Sequence, residues 1–421
     1  MSSAASAVLA PTPAAAPVAE PAPPVRRRRR ERSRALVAPL LAYLVSHAVY
    51  TVAAALVSES HLTVDGRVRA DSGLYALVAS RGYELFLCDS DPELGPMFAP
   101  GAWCGTAGWF PLYPALIRTL TWPTGLGEYE AGLIVTELSL LAAFVLLWRL
   151  LRGTGTARPV AWAVLALATL LPSGVYLTAV FPMALAVALL LACVSALRAG
   201  RWWWAGLCGA LVAAAYPMGV AVAAIGFGTV VTLLSRGELR PAAAARVALA
   251  VCGLPVAGLL AVFAVHRVTV GHWNAYMMIQ EHYGNGVHNP LTSLYQLATE
   301  PAVIPVAEPR QDLLWELDVH TDAELWWSLA LVLLAVTAAV IASGRGTLRR
   351  YDAGLALYAV AIFVGPLIAG PAVSQYRSHT LLLPALLVLR HLPARLLWPY
   401  AVAAGVIAVP MGMLFSTWLL F

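Results

Sequence analysis

Residues Arg26–Val57 read RRRRRERSRALVAPLLAYLVSHAVYTVAAALV. An arginine run is followed, from Leu36 to Val57, by an apolar stretch without Asp, Glu, Lys or Arg. About 20 apolar residues suffice to cross a bilayer as a helix. The arginines hold their end in the cytoplasm by the positive-inside rule. The pattern is that of a signal peptide, but the stretch is long enough to span and no A-x-A site follows it, so it reads as an uncleaved anchor. The rest of the chain has the same grammar. Of 421 residues, 60% are hydrophobic and only 12% charged, with a mean hydropathy of +0.75. A soluble domain is about a quarter charged. Long apolar runs bounded by Arg predict an all-α polytopic membrane protein, and the absence of ten-residue alternation argues against a transmembrane β-barrel.

Counting runs gives about 11 membrane helices in one domain over 35–421, after a disordered Ala/Pro- and Arg-rich cytoplasmic tail over 1–34. Two long polar segments, 58–130 and 266–325, fall on the outer face. Within the first, Ser72–Phe86 predicts an interfacial helix with Leu74, Leu77 and Val78 on one side, and Trp109–Trp122, broken by Pro111 and Pro114, a short interfacial or re-entrant piece. The run Trp202–Leu234 has Arg at both ends and Tyr216-Pro217 in its middle. Both ends are therefore expected in the cytoplasm, with the run bent into a hairpin near Pro217. A turn holding Arg377 and His379 lies at the outer end of the last hairpin. The other face has short, Arg-bearing connections, so the site is expected on the outer face of a plasma (inner) membrane protein.

Net charge is +5, and residues 1–34 account for all of it with seven Arg against Glu20 and Glu31. No aromatic residue is interleaved with this arm, so it reads as a retention signal and anionic-lipid contact rather than a nucleic-acid site. Cys193, Cys208 and Cys252 lie in apolar runs, while Cys88 and Cys104 share the first outer loop, as a disulfide or as two free thiols. No phosphate loop, dinucleotide fingerprint or hydrolase elbow occurs. His272, Glu281, His282 and His288 match no metal-ligand spacing, so neither a metal nor a cofactor is expected.

The chemistry-bearing residues fall in order after the first run. ADSGLYALVASRGYELF spans 70–86 and GWFPLYPALIR spans 108–118. The series Asp71-x-Gly73-x-Tyr75, then Gly82-Tyr83, then Phe110-Pro-Leu-Tyr113-Pro, resembles the bacterial branch of the GPI-anchor mannosyltransferase family, in the GT-C glycosyltransferase superfamily. Arg377 before a short Leu-Leu-Leu-Pro384 stretch is similar at the level of a final loop. The resemblance implies a many-spanning fold with an acidic first outer loop. It also implies transfer of a sugar, usually mannose, from a polyprenyl-phosphate sugar to an acceptor hydroxyl on a lipid or glycan, without a nucleotide. Two positions depart from the family. Relatives carry an acid near the end of the third run, where this chain has Val180-Phe181-Pro182-Met183, and Arg-Pro where it has Tyr216-Pro217.

Chemically, a departing phosphate needs cations, and the guanidinium fork matches its oxygens. An acceptor hydroxyl needs a base within hydrogen-bond reach. Asp71 is the candidate base, though an Asp opening a helix also serves as an N-cap. Asp65, before Gly66, reads as a turn residue and the reserve carboxylate. Arg377 is the candidate phosphate clamp, against a snorkelling interfacial Arg. Tyr75, Tyr83, Tyr113, Gln280 and His379 complete the expected substrate-binding set, His379 being also read as a satisfied interfacial histidine. Trp202–Trp204 reads as an interface anchor. Two other classes compete: a non-catalytic lipid-binding or accessory protein on the same fold, and a secondary transporter, which lacks a second interrupted run to match Tyr216-Pro217.

Overall fold

The computed structural model describes residues 25–93, 98–299, 311–370 and 375–417. The tail before Val25 and the His282 side chain lie outside the described residues. The architecture is helical: α1 (Val25–Leu56), α2 (Ser72–Arg81), α3 (Leu112–Thr124), α4 (Glu128–Gly153), α5 (Arg158–Thr169), α6 (Met183–Arg198), α7 (Trp202–Ala215), α8 (Val222–Ser235), α9 (Pro241–Ala248), α10 (Leu254–Val270), α11 (Ala275–His282), α12 (Pro290–Thr299), α13 (Gln311–Gly344), α14 (Asp352–Ala369), α15 (Gln375–His379) and α16 (Ala394–Ser416). A π-helical turn, Leu249–Gly253, joins α9 to α10 just before Pro255.

Among the described residues, seven helices are long and apolar enough to cross a membrane, and the chain is a multi-pass membrane protein. The sequence count of about 11 differs for a physical reason. Three apolar runs form helices of 12, 16 and 14 residues (α5, α6, α7), shorter than a full span. A fourth, Thr380–His391, winds as a 3₁₀-helix of 12 residues whose body is wholly buried. Runs of this kind rarely exceed four residues. This one is enclosed by α5, α6, α13 and α14.

Further details go beyond the sequence reading or differ from it. α1 begins at Val25, so the arginine run expected in the tail is helical. The interfacial helix stops at Arg81, and its buried side carries Tyr75, Ala76, Val78 and Ala79 while Leu77 is exposed. Beyond it, Leu85–Leu87 (β1) pairs antiparallel with Trp103–Gly105 (β2), and Cys88 is disulfide-bonded to Cys104 at the end of this ribbon. α13 begins at Gln311, within the second long polar segment, and its apolar span-length part is Thr321–Gly344.

The run Trp202–Ser235 breaks where Tyr216 is extended (φ −155°, ψ 143°) and Pro217 starts a 3₁₀ turn. Both ends of this run meet one turn of chain. The Arg350 guanidinium lies 6.0 Å from the Trp202 ring centre, and Arg236 donates to the Leu348 carbonyl at 2.6 Å. The run is therefore a hairpin. At the crossing of α8 and α14, Gly228 faces Gly354, and a Cβ on either would strike the other helix's backbone. Small residues allow this approach within a membrane.

Two faces result. One collects the ends of α4, α6, α8 and α13, linked by Arg198 to the Gly153 carbonyl at 2.5 Å and Arg236 to Leu348. The other collects the Tyr216 break, α2, α11 and α15: Tyr216 and Ser378 share a hydroxyl hydrogen bond of 3.1 Å, and Gly286 and His288 donate to the carbonyls ending α14, each at 2.8 Å.

Candidate active site on the face opposite the arginine-rich ends

Arg67, Arg69 and Asp71 take alternate positions in the segment that leads from a 3₁₀ turn (Asp65–Arg67) into α2, and each reaches a different element. Arg67 pairs with Glu137 on α4. Arg69 is buried and donates to the Ser416 carbonyl at the end of α16 at 3.1 and 3.3 Å. Asp71 pairs with Arg377 on α15. The backbone locks this stretch, since Val180 donates to the Arg67 carbonyl at 3.1 Å. A Cβ at Gly66 would run into the Ser60 carbonyl, so the turn before it admits only glycine. Ala70, immediately before Asp71, is held at φ 45°. A left-handed conformation there is costly for a residue with a Cβ, and such strain persists only where surroundings enforce it.

Asp71 occupies the N-cap position of α2, yet its side chain makes no cap hydrogen bond. The carboxylate is turned instead to Arg377, with 25% of the Asp71 side chain and 13% of the Arg377 side chain exposed. Arg377 Nε is buried and has no hydrogen-bond partner among the described residues. The guanidinium lies 5.8 Å from the Phe181 ring centre. Phe181 in turn meets Tyr75 and Tyr176 edge-on at 6.1 and 5.5 Å. Phe181 and Tyr216 thus both border the pair: Phe181 carries the face of Arg377, and Tyr216 holds Ser378 beside it.

α15 has five residues, too few to hold itself, and is fixed from outside. His379 is fully buried against Glu324 of α13, with Nδ1 2.9 and 3.1 Å from its two carboxylate oxygens. Ser328 donates to the same carboxylate at 2.9 Å, and Phe363 stacks on the imidazole at 5.4 Å. Behind Arg377, then, a buried acid–base pair sets the position of the helix that carries it.

The remaining expected residues divide. Tyr75 lies on the buried side of α2 and packs on Tyr113 at 5.6 Å. Tyr113 is wholly buried, its hydroxyl shared between the Gly132 carbonyl and Thr136 at 2.9 Å each, which makes it a packing residue rather than a ligand contact. The Tyr83 hydroxyl donates to the Trp109 carbonyl at 2.8 Å and joins the two motif blocks. Gln280 is half-buried on α11, accepts from Asn285 at 2.6 Å, and lies against Gly108 of the second block. His379 sits behind the site, as above. Asp65 lies in a short 3₁₀ turn (Asp65–Arg67), and its carbonyl accepts from Arg69. Among the described residues, no group of three His, Cys, Asp or Glu could hold a metal ion.

A second cluster is absent from the sequence-based expectations. Glu137 lies inside the span-length helix α4. It accepts from Tyr43 at 2.7 Å and pairs with Arg67, and His47 Nε2 lies 3.0 Å from it. His61 packs beside it, its ring 5.8 Å from those of His47 and Tyr50. Burial, reinforced by the charges of Arg67 and His47, holds the His61 imidazole down to about 3, so it is neutral at physiological pH. One signal in the sequence points here: a lone carboxylate in an otherwise apolar run is expensive and demands a partner.

No protein-family model, curated protein or solved structure matches the chain.

Proposed function

We propose that this chain is a GT-C-like membrane glycosyltransferase. In this reading it moves a sugar, with mannose the first candidate, from a polyprenyl-phosphate sugar to a hydroxyl of a lipid or glycan acceptor on the outer face of the plasma membrane. The observation that carries this reading is the Asp71–Arg377 pair. The candidate base and the candidate phosphate clamp, 306 residues apart, meet at one partly exposed point.

The pair suggests how the steps are coupled. With no donor present, Arg377 occupies the Asp71 carboxylate. A donor phosphate competes for that guanidinium, whose buried Nε offers a further donor, and its arrival frees Asp71. The acceptor oxygen then attacks the anomeric carbon while its proton passes to Asp71. The bond from that carbon to the phosphate oxygen breaks, its electron pair leaving with the phosphate held by Arg377. Attack from the far side inverts the anomeric centre. A general base of this kind contributes about 10²–10⁴-fold.

The test is sugar transfer in membranes containing the protein, supplied with radiolabelled polyprenyl-phosphate mannose and total cell lipid, for wild type and Asp71→Asn. A labelled product lost in the variant supports the reading. Equal activity in both removes Asp71 from the mechanism. A second reading, an accessory lipid-binding protein on the same fold, is favoured by Phe181, an aromatic ring where relatives carry an acid. It predicts no product with any sugar donor from folded protein.

A further inference from the structure

The opposite face carries a site that the transferase reading does not use. Two adjoining hollows open there. One, of about 440 Å³, is lined by Arg236, Glu238, Thr347, Arg349 and Arg350. The other, of about 210 Å³, is lined by Thr154, Arg198, Tyr351 and the same Arg349 and Arg350. Four guanidiniums therefore face one carboxylate, that of Glu238.

The arginines are only partly engaged. Several cap helix ends, where a cation is favourable beside the partial negative charge of the last carbonyls. Arg198 gives an N–H to Gly153 and Arg236 one to Leu348, and Arg236 also lies 3.7 Å from Glu238. Arg349 makes a 3.5 Å contact to the Thr154 carbonyl, and Arg350 lies over the Trp202 ring. Each guanidinium carries five N–H donors, so most remain for a ligand. A surplus of like charge in a concave surface attracts an anion.

The surroundings identify the kind of anion. The hollows lie at the ends of span-length helices, and beside Trp202 the rings of Trp203 and Trp204 are exposed, as befits the headgroup level of a bilayer. We propose that this is a binding site for an anionic phospholipid headgroup bearing two phosphates. One phosphate seats between Arg198 and Arg349, the other between Arg236 and Arg350. The bidentate match of guanidinium to phosphate makes this more than diffuse attraction. The proposal depends on neither Asp71 nor sugar transfer.

The test uses full-length protein in nanodiscs of phosphatidylcholine, with lipid binding followed by native mass spectrometry and by Trp fluorescence. Diphosphatidylglycerol, phosphatidylglycerol and inorganic phosphate are the probes. The two-phosphate lipid is expected to bind most tightly, and Arg349→Gln with Arg350→Gln to weaken it about 100-fold. A control pair on the same face but outside the hollows, Arg240→Gln with Arg246→Gln, is expected to cost about tenfold or less. Equal loss in both pairs means diffuse attraction and overturns the site. Equal affinity for one- and two-phosphate lipids overturns the two-phosphate arrangement, and displacement of lipid by inorganic phosphate overturns lipid as the occupant. Thermal melting of both double variants establishes that they are folded when compared.

Discussion

Asp71–Arg377 and Asp352–Arg390 are the same pair of residue types in two different states. At Asp352 every demand is met. The carboxylate is fully buried, takes two hydrogen bonds from Arg390 at 2.6 and 2.7 Å, one from the Arg349 backbone at 2.7 Å, and has His391 Nε2 at 2.9 Å. Arg390 is 5% exposed and spends another N–H on the Leu387 carbonyl. At Asp71 the carboxylate is a quarter exposed, and Arg377 keeps a buried Nε without a partner among the described residues. A saturated pair has nothing left to give to a ligand, and an unsaturated one does. Exposure and hydrogen-bond count, rather than residue type, separate a structural knot from a candidate site.

The comparison breaks most readily at its closed end. Asp352→Ala strands Arg390 in the interior and is expected to cost about 3–5 kcal/mol, read as a large fall in melting temperature and loss of protein from membranes. Arg377→Gln is expected to lower melting by less, because the Asp71 carboxylate it leaves behind is a quarter exposed and can be hydrated, but to slow sugar transfer about 100-fold, because the cation that meets the departing phosphate is lost. If instead Arg377→Gln unfolds the chain and Asp352→Ala does not, the two pairs have been assigned the wrong way round.

A pH series sharpens the same contrast on the loop. His61 binds its proton far more weakly in the fold, at about 3, than its ordinary value of 6.5. The unfolded chain therefore takes up the proton first as pH falls. The stabilisation is complete above the unfolded value and is lost towards the folded one. Acidification from about pH 7 to about pH 5 is expected to cost about 2 kcal/mol, and His61→Gln to flatten that slope in melting experiments. The smallest effect is at Ala70. Replacing Ala70 by Gly removes left-handed strain of about 1–3 kcal/mol against an entropy cost of about 0.4–1 kcal/mol, and should raise stability by about 1 kcal/mol. Faster transfer in Ala70→Gly would mean that the strained turn holds Asp71 back.

Much of this is legible in the amino-acid sequence. Arg positions and apolar lengths indicate the helical class and the two faces, and Tyr216-Pro217 indicates the hairpin, because hydropathy and proline act locally. Asp71 and Arg377 can each be named, but not the contact between them, since 306 residues separate them. Glu137 is visible as an anomaly, yet its partner Arg67 lies 70 residues away. The Glu324–His379 pair is hidden because Glu324 stands just ahead of the apolar run beginning at Trp326 and reads as loop. Thr380–His391 misleads for another reason: apolar length is converted to helix length at the α rise, and this segment does not use it.

That segment joins the two pairs. Arg377 lies in α15, which leads directly into it, and Arg390 in its last turn. At about 2.0 Å per residue it is about 24 Å long, the reach of an α-helix roughly a third longer in sequence. It is a thin strut, clamped at the Asp352 end and presenting a guanidinium at the other. Because three residues make one turn, deleting a single residue between Leu381 and Leu389 would swing one end by about 120° against the other. The aim of Arg377 is thus indexed from the far side of the membrane.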